Sequence, residues 1–303
     1  MAQLMYLFCI FALNNQDCIM IIIAESGATK TDWCSLHTDG SVTSVQTEGL
    51  NPMVMSHEVM NRVIGTAIPA VNPSGTRVSQ VFFYGAGLVS PDAIASLASI
   101  IEIWCPFAVL EFHTDMEAAG RAVFGDGSGV VAIMGTGSNS CMWENGNIVR
   151  NIRPGGFILG DEGGGAALGR MFLADYIKGL VPEELASLFE ENYGLDYAGI
   201  VKGVYRSEAP SRFVASFARF VYENQRFEYA AGLVERNIRD FMERSLARYG
   251  NEKVGVVGSF GYACRGQLEA IGKEYNLEFV KFLKAPIDGL IAYHKSKTEI
   301  HVI

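Results

Sequence analysis

The sequence lacks the cysteine and histidine patterns that hold metals or disulfide frameworks. Its six cysteines are scattered, with no Cys-x-x-Cys pair, and its five histidines form no His-Glu-x-x-His motif. A structural zinc site and a disulfide-stapled fold are therefore not expected. Isolated cysteines in a chain of 303 residues are typical of reduced thiols, which favours a cytoplasmic location.

Basic residues are also scarce, and lysine and arginine form no block. The chain has 24 of them against 33 acidic residues, giving a net charge of -9. This balance argues against nucleic-acid binding as the main role. The apolar stretch 4–13 is too short to span a bilayer and follows no basic segment. We therefore expect no membrane partner, and we treat residues 1–19 as a leader outside the fold.

Two turns rich in glycine and hydroxyl groups each follow an apolar strand pattern. The first is Ser26-Gly27-Ala28-Thr29-Lys30-Thr31, and the second is Gly135-Thr136-Gly137-Ser138. Glycine lets backbone N–H groups come close to an anion, and the hydroxyls add short donors. We therefore predict that both turns bind phosphate. The predicted residues are Gly27, Thr29, Lys30 and Thr31 in the first turn and Gly135, Thr136, Gly137 and Ser138 in the second.

The same order of elements surrounds both turns. A strand follows each turn, then a hairpin dipeptide, Asp39-Gly40 or Asn145-Gly146, and then another strand. This repetition predicts a duplicated α/β protein. We expect an N-terminal domain of residues 20–116, with the C-terminal helix 286–303 packing back on it. The second domain would span residues 117–285 and carry a helical insertion.

Asp115 follows a predicted strand and precedes a predicted helix. An aspartate at such a position most often caps the helix, because its carboxylate satisfies the first free N–H groups. Asp115 also lies between the two turns in the chain, where a carboxylate could accept the proton of a substrate hydroxyl. Both interpretations remain open at this level.

Three further segments have a structural and a functional interpretation. The loop Gly160–Gly165, with Asp161 and Glu162, is either a surface loop or cap, or a source of carboxylates for a sugar or Mg²⁺. Asn51, before Pro52, either forms an ordinary turn or binds a sugar hydroxyl. The segment 258–261 is either a tight turn or a close approach of backbone to adenine or ribose.

With these motifs, the chain resembles the BadF/BadG/BcrA/BcrD-type ATPases and, among them, the N-acetylglucosamine kinases. These belong to the actin–hexokinase–heat-shock-chaperone ATPase superfamily. The matching segments 23–33, 135–139 and 258–261 occur in order, and the resemblance covers nearly all of the chain from Met20. It implies two duplicated ribonuclease H-like (actin-like ATPase) domains with an interdomain ATP cleft. It also implies ATP and Mg²⁺ as cofactors, and phosphorylation of an amino sugar, such as N-acetylglucosamine to N-acetylglucosamine 6-phosphate.

The resemblance also implies roles for individual residues, and a homodimer is common in such kinases. Asp115 would be the general base, and Glu25 would support Mg²⁺ through water. Gly258 and Ser259 would bind adenosine. The sugar-binding residues would be Asn51, Asn139, Gly156, Asp161 and Glu162.

The sequence departs from the family pattern at three positions: Glu25 replaces an aspartate, Gly164 a serine and Phe157 a tryptophan. Two alternatives therefore stay open. One is an ATPase activator of a 2-hydroxyacyl-CoA dehydratase-type system, whose relatives hold an iron–sulfur cluster through cysteines. The isolated Cys141 and Cys264 disfavour it. The other is a catalytically weak nucleotide or sugar sensor, for which Glu25 is the main support.

Overall fold

The computed structural model describes residues 19–27, 29–53, 55–88, 90–250 and 252–298. The expected leader falls on residues 1–18, outside the described residues, and on Ile19. The described residues divide into two compact units: unit 1 holds those from 19 to 118 and from 287 to 298, and unit 2 holds those from 119 to 286.

Unit 1 is built on a five-stranded sheet in the order β3-β2-β1-β4-β5. Strands β1, β2 and β3 form an antiparallel meander, and β4 and β5 run parallel to β1. The elements are β1 (Met20–Ser26), β2 (Lys30–His37), β3 (Val42–Glu48), α1 (His57–Val71), β4 (Val78–Gly85), α2 (Pro91–Trp104), β5 (Val109–Thr114), α3 (Asp115–Phe124, which continues into unit 2) and α13 (Ile287–Thr298).

The two faces of this sheet are covered differently because side chains alternate along each strand. Ala24, Trp33 and Phe83 are fully buried in a core shared with apolar side chains of α1 and α2. Their neighbours in sequence point to the other face, where α13 contacts β1 and β2. There His294 of α13 lies against Phe82, with ring centroids 4.0 Å apart.

Unit 2 contains a second five-stranded sheet, in the order β10-β9-β6-β7-β8. Its elements are β6 (Ser128–Met134), β7 (Ser138–Glu144), β8 (Asn147–Ile152), α4 (Gly156–Leu159), α5 (Gly165–Tyr176), α6 (Glu183–Tyr193), α7 (Tyr197–Tyr205), α8 (Pro210–Ala215), α9 (Ala218–Glu223), α10 (Glu228–Arg244), β9 (Lys253–Val257), α11 (Ser259–Ala263), α12 (Arg265–Gly272) and β10 (Glu278–Leu283).

The two sheets have the same topology. In each, a three-stranded antiparallel meander is extended by two parallel strands beside its first strand. The predicted duplication of an α/β fold is therefore confirmed at the level of strand order. The helices of residues 165–244 form the large apolar core of unit 2, with Phe172, Phe189 and Phe217 fully buried. In the part of the chain that the structure describes, no helix combines the length and apolar character needed to cross a bilayer.

Candidate functional site

The first turn is tied to the segment that follows β3. Ser26 Oγ donates to the Leu50 carbonyl (2.9 Å), accepts from the Leu50 N–H (2.8 Å) and shares a hydrogen bond with Thr31 Oγ1 (2.9 Å). Thr31 Oγ1 also donates to the Glu48 carbonyl, at 3.1 Å. The Thr31 side chain is fully buried and holds the turn together, so its hydroxyl already has protein partners. Gly27, Thr29 and Lys30 form the turn itself, with the Gly27 N–H donating to the Lys30 carbonyl (2.9 Å).

A group of charged side chains lies beside this turn. Glu25 is directly opposite Asp32 in the β1–β2 pair, and Lys30 Nζ lies 2.8 Å from Asp32 Oδ2. Burial raises the pKa of Glu25 to about 7, and the negative charges of Asp32 and Asp115 add to this effect. The Lys30 ammonium opposes it. Asp32, to which the sequence analysis gave no role, is therefore part of the site.

The carboxylates beside the first turn suit Mg²⁺ chemically. Mg²⁺ prefers oxygen ligands and keeps several waters. Glu25 and Asp32 supply such oxygens, and their mutual repulsion in a buried place would be relieved by a cation. No described group of three or more side chains forms a preformed metal site. The residues beside the first turn therefore fit a cation that is held by one or two carboxylates together with water or phosphate.

Asp115 does not cap the helix that it begins. Thr114 is the cap instead, because the Glu117 N–H donates to Thr114 Oγ1 (3.2 Å). The Glu117 carboxylate accepts in return from the Thr114 N–H (2.7 Å) and hydroxyl (2.9 Å). This reciprocal pair is a capping box, readable in the sequence as Thr-x-x-Glu. The Asp115 carboxylate accepts from the Met116 N–H (2.9 Å), and burial raises its pKa. Asp115 therefore has the environment expected of a general base.

Asn51 is held by its own loop. Its Oδ1 accepts from the Met53 N–H at 3.0 Å. The loop after β4 lies against it at Gly87, whose φ of +82° and lack of a Cβ allow the contact. The backbone near Asn51 is thus fixed by two loops of unit 1.

The second turn lies at the N-terminus of α5. The first N–H groups of this helix, of Gly165 and Ala166, donate to the carbonyls of Gly135 and Thr136, both at 2.8 Å. These N–H groups have no partner within their own helix. Gly137 closes the turn by accepting from the Gly135 N–H, at 2.9 Å. The orientation of the turn is thus set by the start of α5.

The acidic loop contacts the second turn closely. Asp161 adopts a left-handed φ of +58°, and its carboxylate accepts from the N–H groups of Ser138 and Gly156. Burial, with the neighbouring Glu162, still raises its pKa. Ser138 Oγ donates to the Glu162 carbonyl at 2.6 Å, so this buried hydroxyl holds the backbone of the acidic loop in place. The structure thus brings together four of the predicted residues of unit 2.

Two predicted sugar-binding side chains of unit 2 already have protein partners. Glu162 Oε1 accepts from Arg244 Nη1 at 2.6 Å. Asn139 Oδ1 accepts from the Ser140 N–H and from Asn151 Nδ2, both at 2.9 Å. Asn151 lies on β8 and received no role from the sequence. A ligand would have to compete with these bonds or use the remaining polar atoms.

A pocket of about 440 Å³ in unit 2 joins the second turn to the predicted adenosine motif. Gly135 and Thr136 line it together with Ser259 and Phe260. Gly258 has a φ of +123° and lies so close to the Met134 carbonyl that a Cβ would collide with it. The other lining residues are Gly165, Ala215, Ala218, Arg219, Tyr222, Glu223, Ala263 and Lys284.

The helical part of this pocket was missed by the sequence analysis. Arg219 and Glu223 are one turn apart on α9 and form an exposed ion pair of 2.7 Å.

Asn237 of α10 is a second residue that the sequence did not reveal. Its buried side chain accepts from the Gly163 N–H (2.9 Å) and donates to the Gly164 carbonyl (3.2 Å). A lone asparagine among the buried positions of α10 is the signal that could have revealed it.

Comparison with known structures agrees with this arrangement. The crystal structure of a candidate N-acetylglucosamine kinase from Porphyromonas gingivalis matches with a TM-score of 0.86 and 36% identity, covering 93% of this chain and 100% of that one. A second candidate N-acetylglucosamine kinase, from Chromobacterium violaceum, matches with a TM-score of 0.74 and 18% identity, covering 90% and 98%. The ROK-family glucokinase of Streptomyces griseus, solved with glucose and AMPPNP, has a TM-score of 0.55 and 14% identity, covering 91% and 98%. The last two are likenesses of fold alone.

The repeated sheets and these likenesses define a protein with the two-domain actin-like ATPase fold of sugar kinases. No protein-family model and no curated protein sequence matches the chain. With 36% identity to the Porphyromonas protein over nearly all of its length, the chain belongs to the N-acetylglucosamine kinase-like family of BadF-type ATPases.

Proposed function

We propose that this protein is an ATP-dependent sugar kinase that phosphorylates an amino sugar, converting N-acetylglucosamine to N-acetylglucosamine 6-phosphate. The observation that carries the proposal is the environment of the Asp115 carboxylate. Its carboxylate is partly buried and accepts from the Met116 N–H, while Thr114 and Glu117 form the capping box of the same helix. A kinase needs such a carboxylate to accept the proton of the acceptor hydroxyl.

The pocket of unit 2 supports ATP as the phosphoryl donor. It joins a glycine–hydroxyl turn, suited to phosphate, to the Gly258–Phe260 motif, suited to a nucleoside. We propose that adenosine occupies this pocket beside Ser259, with its phosphates at Gly135 and Thr136. The turn of residues 27–31 in unit 1 is itself a candidate phosphate-binding turn.

The reaction follows from the chemistry of these groups. Asp115 accepts the proton of the sugar hydroxyl, whose oxygen attacks the γ-phosphorus while the bond from that phosphorus to the β–γ bridging oxygen breaks. Lys30 offsets negative charge on the transferring group. Glu25 and Asp32 would hold Mg²⁺, directly or through water, and bound Mg²⁺ neutralises phosphate charge.

Each unit has candidate residues for binding the sugar. Asn51 of unit 1 and Asp161 of unit 2 are the main candidates, because each side chain is held in place by backbone N–H groups. Gly156 adds backbone close to Asp161, while Glu162 and Asn139 would exchange a protein partner for the sugar. An N-acetylated hexosamine is the substrate favoured by the family likeness.

The alternative of an iron–sulfur ATPase activator lacks accessible ligands among the described residues. Cys141 and Cys264, the candidate ligands, have 0% exposure. Cluster ligation at a subunit surface needs exposed thiolates. The scattered, buried cysteines also support the proposed cytoplasmic location.

The proposal is tested by measuring ADP release and product formation with N-acetylglucosamine, glucosamine and glucose. We expect N-acetylglucosamine-dependent ADP release and a 6-phosphate detectable by phosphorus NMR. Asp115→Asn should lower kcat by about 10²- to 10⁴-fold while ATP binding stays within about threefold.

Asp92→Asn is the matched control, since Asp92 is also an acid in the first turn of a helix but is exposed on α2. It should retain full activity. Full activity of Asp115→Asn would overturn the assignment of the base. ATP binding without turnover on any of the sugars would instead favour a sensor.

A further inference from the structure

The capping box next to Asp115 depends on the placement of one carboxylate. Glu117 Oε2 holds both the N–H and the hydroxyl of Thr114, and hydrogen bonds from His113 and Thr114 lower the pKa of Glu117 to about 2 although burial opposes this. Glu117 therefore stays ionised and acts as an acceptor over the working pH range. Its position decides which side chain caps α3.

His113 holds Glu117 from the other side. Its Nδ1 lies 3.3 Å from Glu117 Oε1, and its Nε2 lies 3.2 Å from Glu111 Oε2. The imidazole thus bridges two carboxylates, and both contacts are made at once when the ring carries two N–H donors. Glu111 is fixed in turn by Gln80 of β4, whose amide donates to its other oxygen.

The plane of the His113 ring is fixed by Tyr84. The two rings are stacked with centroids 5.1 Å apart and an angle of 27° between their planes. Tyr84 is fully buried, and its hydroxyl shares a hydrogen bond of 2.8 Å with Nε2 of the buried His294. A chain of contacts therefore runs from α13 through Tyr84 and His113 to Glu117 within unit 1.

We propose that His113 and Glu117 are positioning residues for phosphoryl transfer, holding the Asp115 carboxylate in the orientation in which it accepts the proton. This inference rests on the proposed function. Neither residue needs to touch the substrate, because both act through the backbone and the capping of α3.

The physical reason is that the N–H and hydroxyl of Thr114, at the start of α3, need a carboxylate acceptor, which Glu117 supplies. Helix N-termini draw in a nearby carboxylate when no other acceptor is present. Asp115, an acid of the same first turn, already accepts from the Met116 N–H, and without the Glu117 carboxylate it would also be drawn toward the Thr114 N–H. The general base would then be lost by reorientation, while the helix and both binding sites would persist.

The experiment compares kcat, the KM for ATP and for the sugar, and Tm in a set of variants. Glu117→Ala and His113→Phe, which keeps an aromatic ring to stack on Tyr84, should each lower kcat at least about tenfold. Both KM values should change less than about threefold. Glu117→Gln should keep most of kcat, because glutamine also forms the capping box.

The matched control is Asp196→Ala, which removes the cap of α7, where Asp196 Oδ1 accepts from the Gly199 N–H at 2.7 Å. It should lower Tm like Glu117→Ala but leave kcat unchanged. If Asp115→Asn is inactive, a wild-type kcat in folded Glu117→Ala and His113→Phe would overturn this inference but not the proposed function. If Glu117→Ala does not fold, the kcat values of His113→Phe and Glu117→Gln test the inference in its place. An inactive wild-type protein, or a fully active Asp115→Asn, would overturn both proposals.

Discussion

Glu25 and Asp32 are directly opposite each other in the antiparallel pair β1–β2, with their side chains on the same face of the sheet. Like charges in such a pair destabilise a sheet, and the burial of Glu25 adds to the cost of ionising it. The pKa of Glu25 is accordingly raised from 4.5 to about 7. This pair places electrostatic repulsion at the position where a cation is proposed to bind.

The raised pKa of Glu25 predicts that stability falls as pH rises. Because folded protein binds this proton more tightly than unfolded protein, the stabilisation is complete below pH 4.5 and is lost as pH rises through about 7. In Mg²⁺-free protein, Glu25→Gln should therefore be more stable than wild type at pH 8, by up to about 3 kcal/mol. At pH 5 the two should be nearly equal. Denaturant unfolding at both pH values checks this.

Glu48→Gln is the control for that experiment, because Glu48 lies in the same sheet but is exposed. Its stability should follow the wild-type pH dependence. An equal pH dependence in Glu25→Gln and wild type would show that Glu25 is ionised without cost in the fold.

Gly258→Ala should weaken ATP binding. An added Cβ would collide with the Met134 carbonyl, and the φ of +123° is itself strained for any other residue. Because Met134 leads directly into the second turn, relief of the collision would move that turn and cost charge-assisted hydrogen bonds to phosphate. We expect Kd for ATP to rise about 10- to 100-fold by calorimetry. Gly266→Ala, where a Cβ meets open space on α12, should bind ATP normally.

Gly164→Ser, which introduces the residue of the family pattern, should not improve this protein. Serine is a better N-cap than glycine for α5, but its Cβ would lie 2.7 Å from the carbonyl carbon of Gly137. We expect Kd for ATP to rise several-fold with no gain in Tm. Gly164→Ala adds the same Cβ without the hydroxyl and should weaken binding similarly. Tighter ATP binding by Gly164→Ser would show that the turn moves freely.

The described cysteines should be unreactive in the native protein. Burial raises the pKa of Cys34 and Cys264 to about 12 and that of Cys105 to about 11, and Cys141 is fully buried. The thiolate is the reactive form. A variant with Cys9 and Cys18 replaced by serine should release no chromophore from Ellman's reagent at pH 8. It should release four equivalents after unfolding. Rapid native labelling would contradict this burial.

Much of the fold could be predicted because its signals are local. The dipeptide Asn145-Gly146 has positive φ at both residues, which is the conformation that a two-residue hairpin requires. The sequence pattern predicts a helix over 197–205 and a strand over 147–152, and these bounds agree with α7 and β8. The pattern of residues 211–224 predicts a single helix, which is wrong, since the structure has α8 and α9 there. A tertiary contact explains the break, because Gly169 packs on the backbone of Val214 and Ser216 Oγ donates to the Phe213 carbonyl (2.7 Å).

The site was less predictable because it depends on contacts between distant segments. The capping box of Thr114 and Glu117 is a local signal that the sequence motif Thr-x-x-Glu contains. Aspartate is a frequent N-cap residue, so the sequence favoured Asp115 as the cap. The pocket residues Arg219 and Lys284 lie far apart in the chain. No periodicity or motif marks them, and only the tertiary fold brings Arg219 of α9 and Lys284, which follows β10, to one pocket.

The return of α13 to the sheet of unit 1 has a consequence for biosynthesis. Unit 2 is continuous in sequence, whereas unit 1 lacks the helix that contacts β1 and β2 until residues 287–298 have left the ribosome. At roughly 5–20 residues per second, translating the intervening segment takes on the order of 10–30 s. During that interval one face of a nascent sheet stays exposed to chaperones, and a premature stop codon before α13 would harm the first-made half of the protein more than the second.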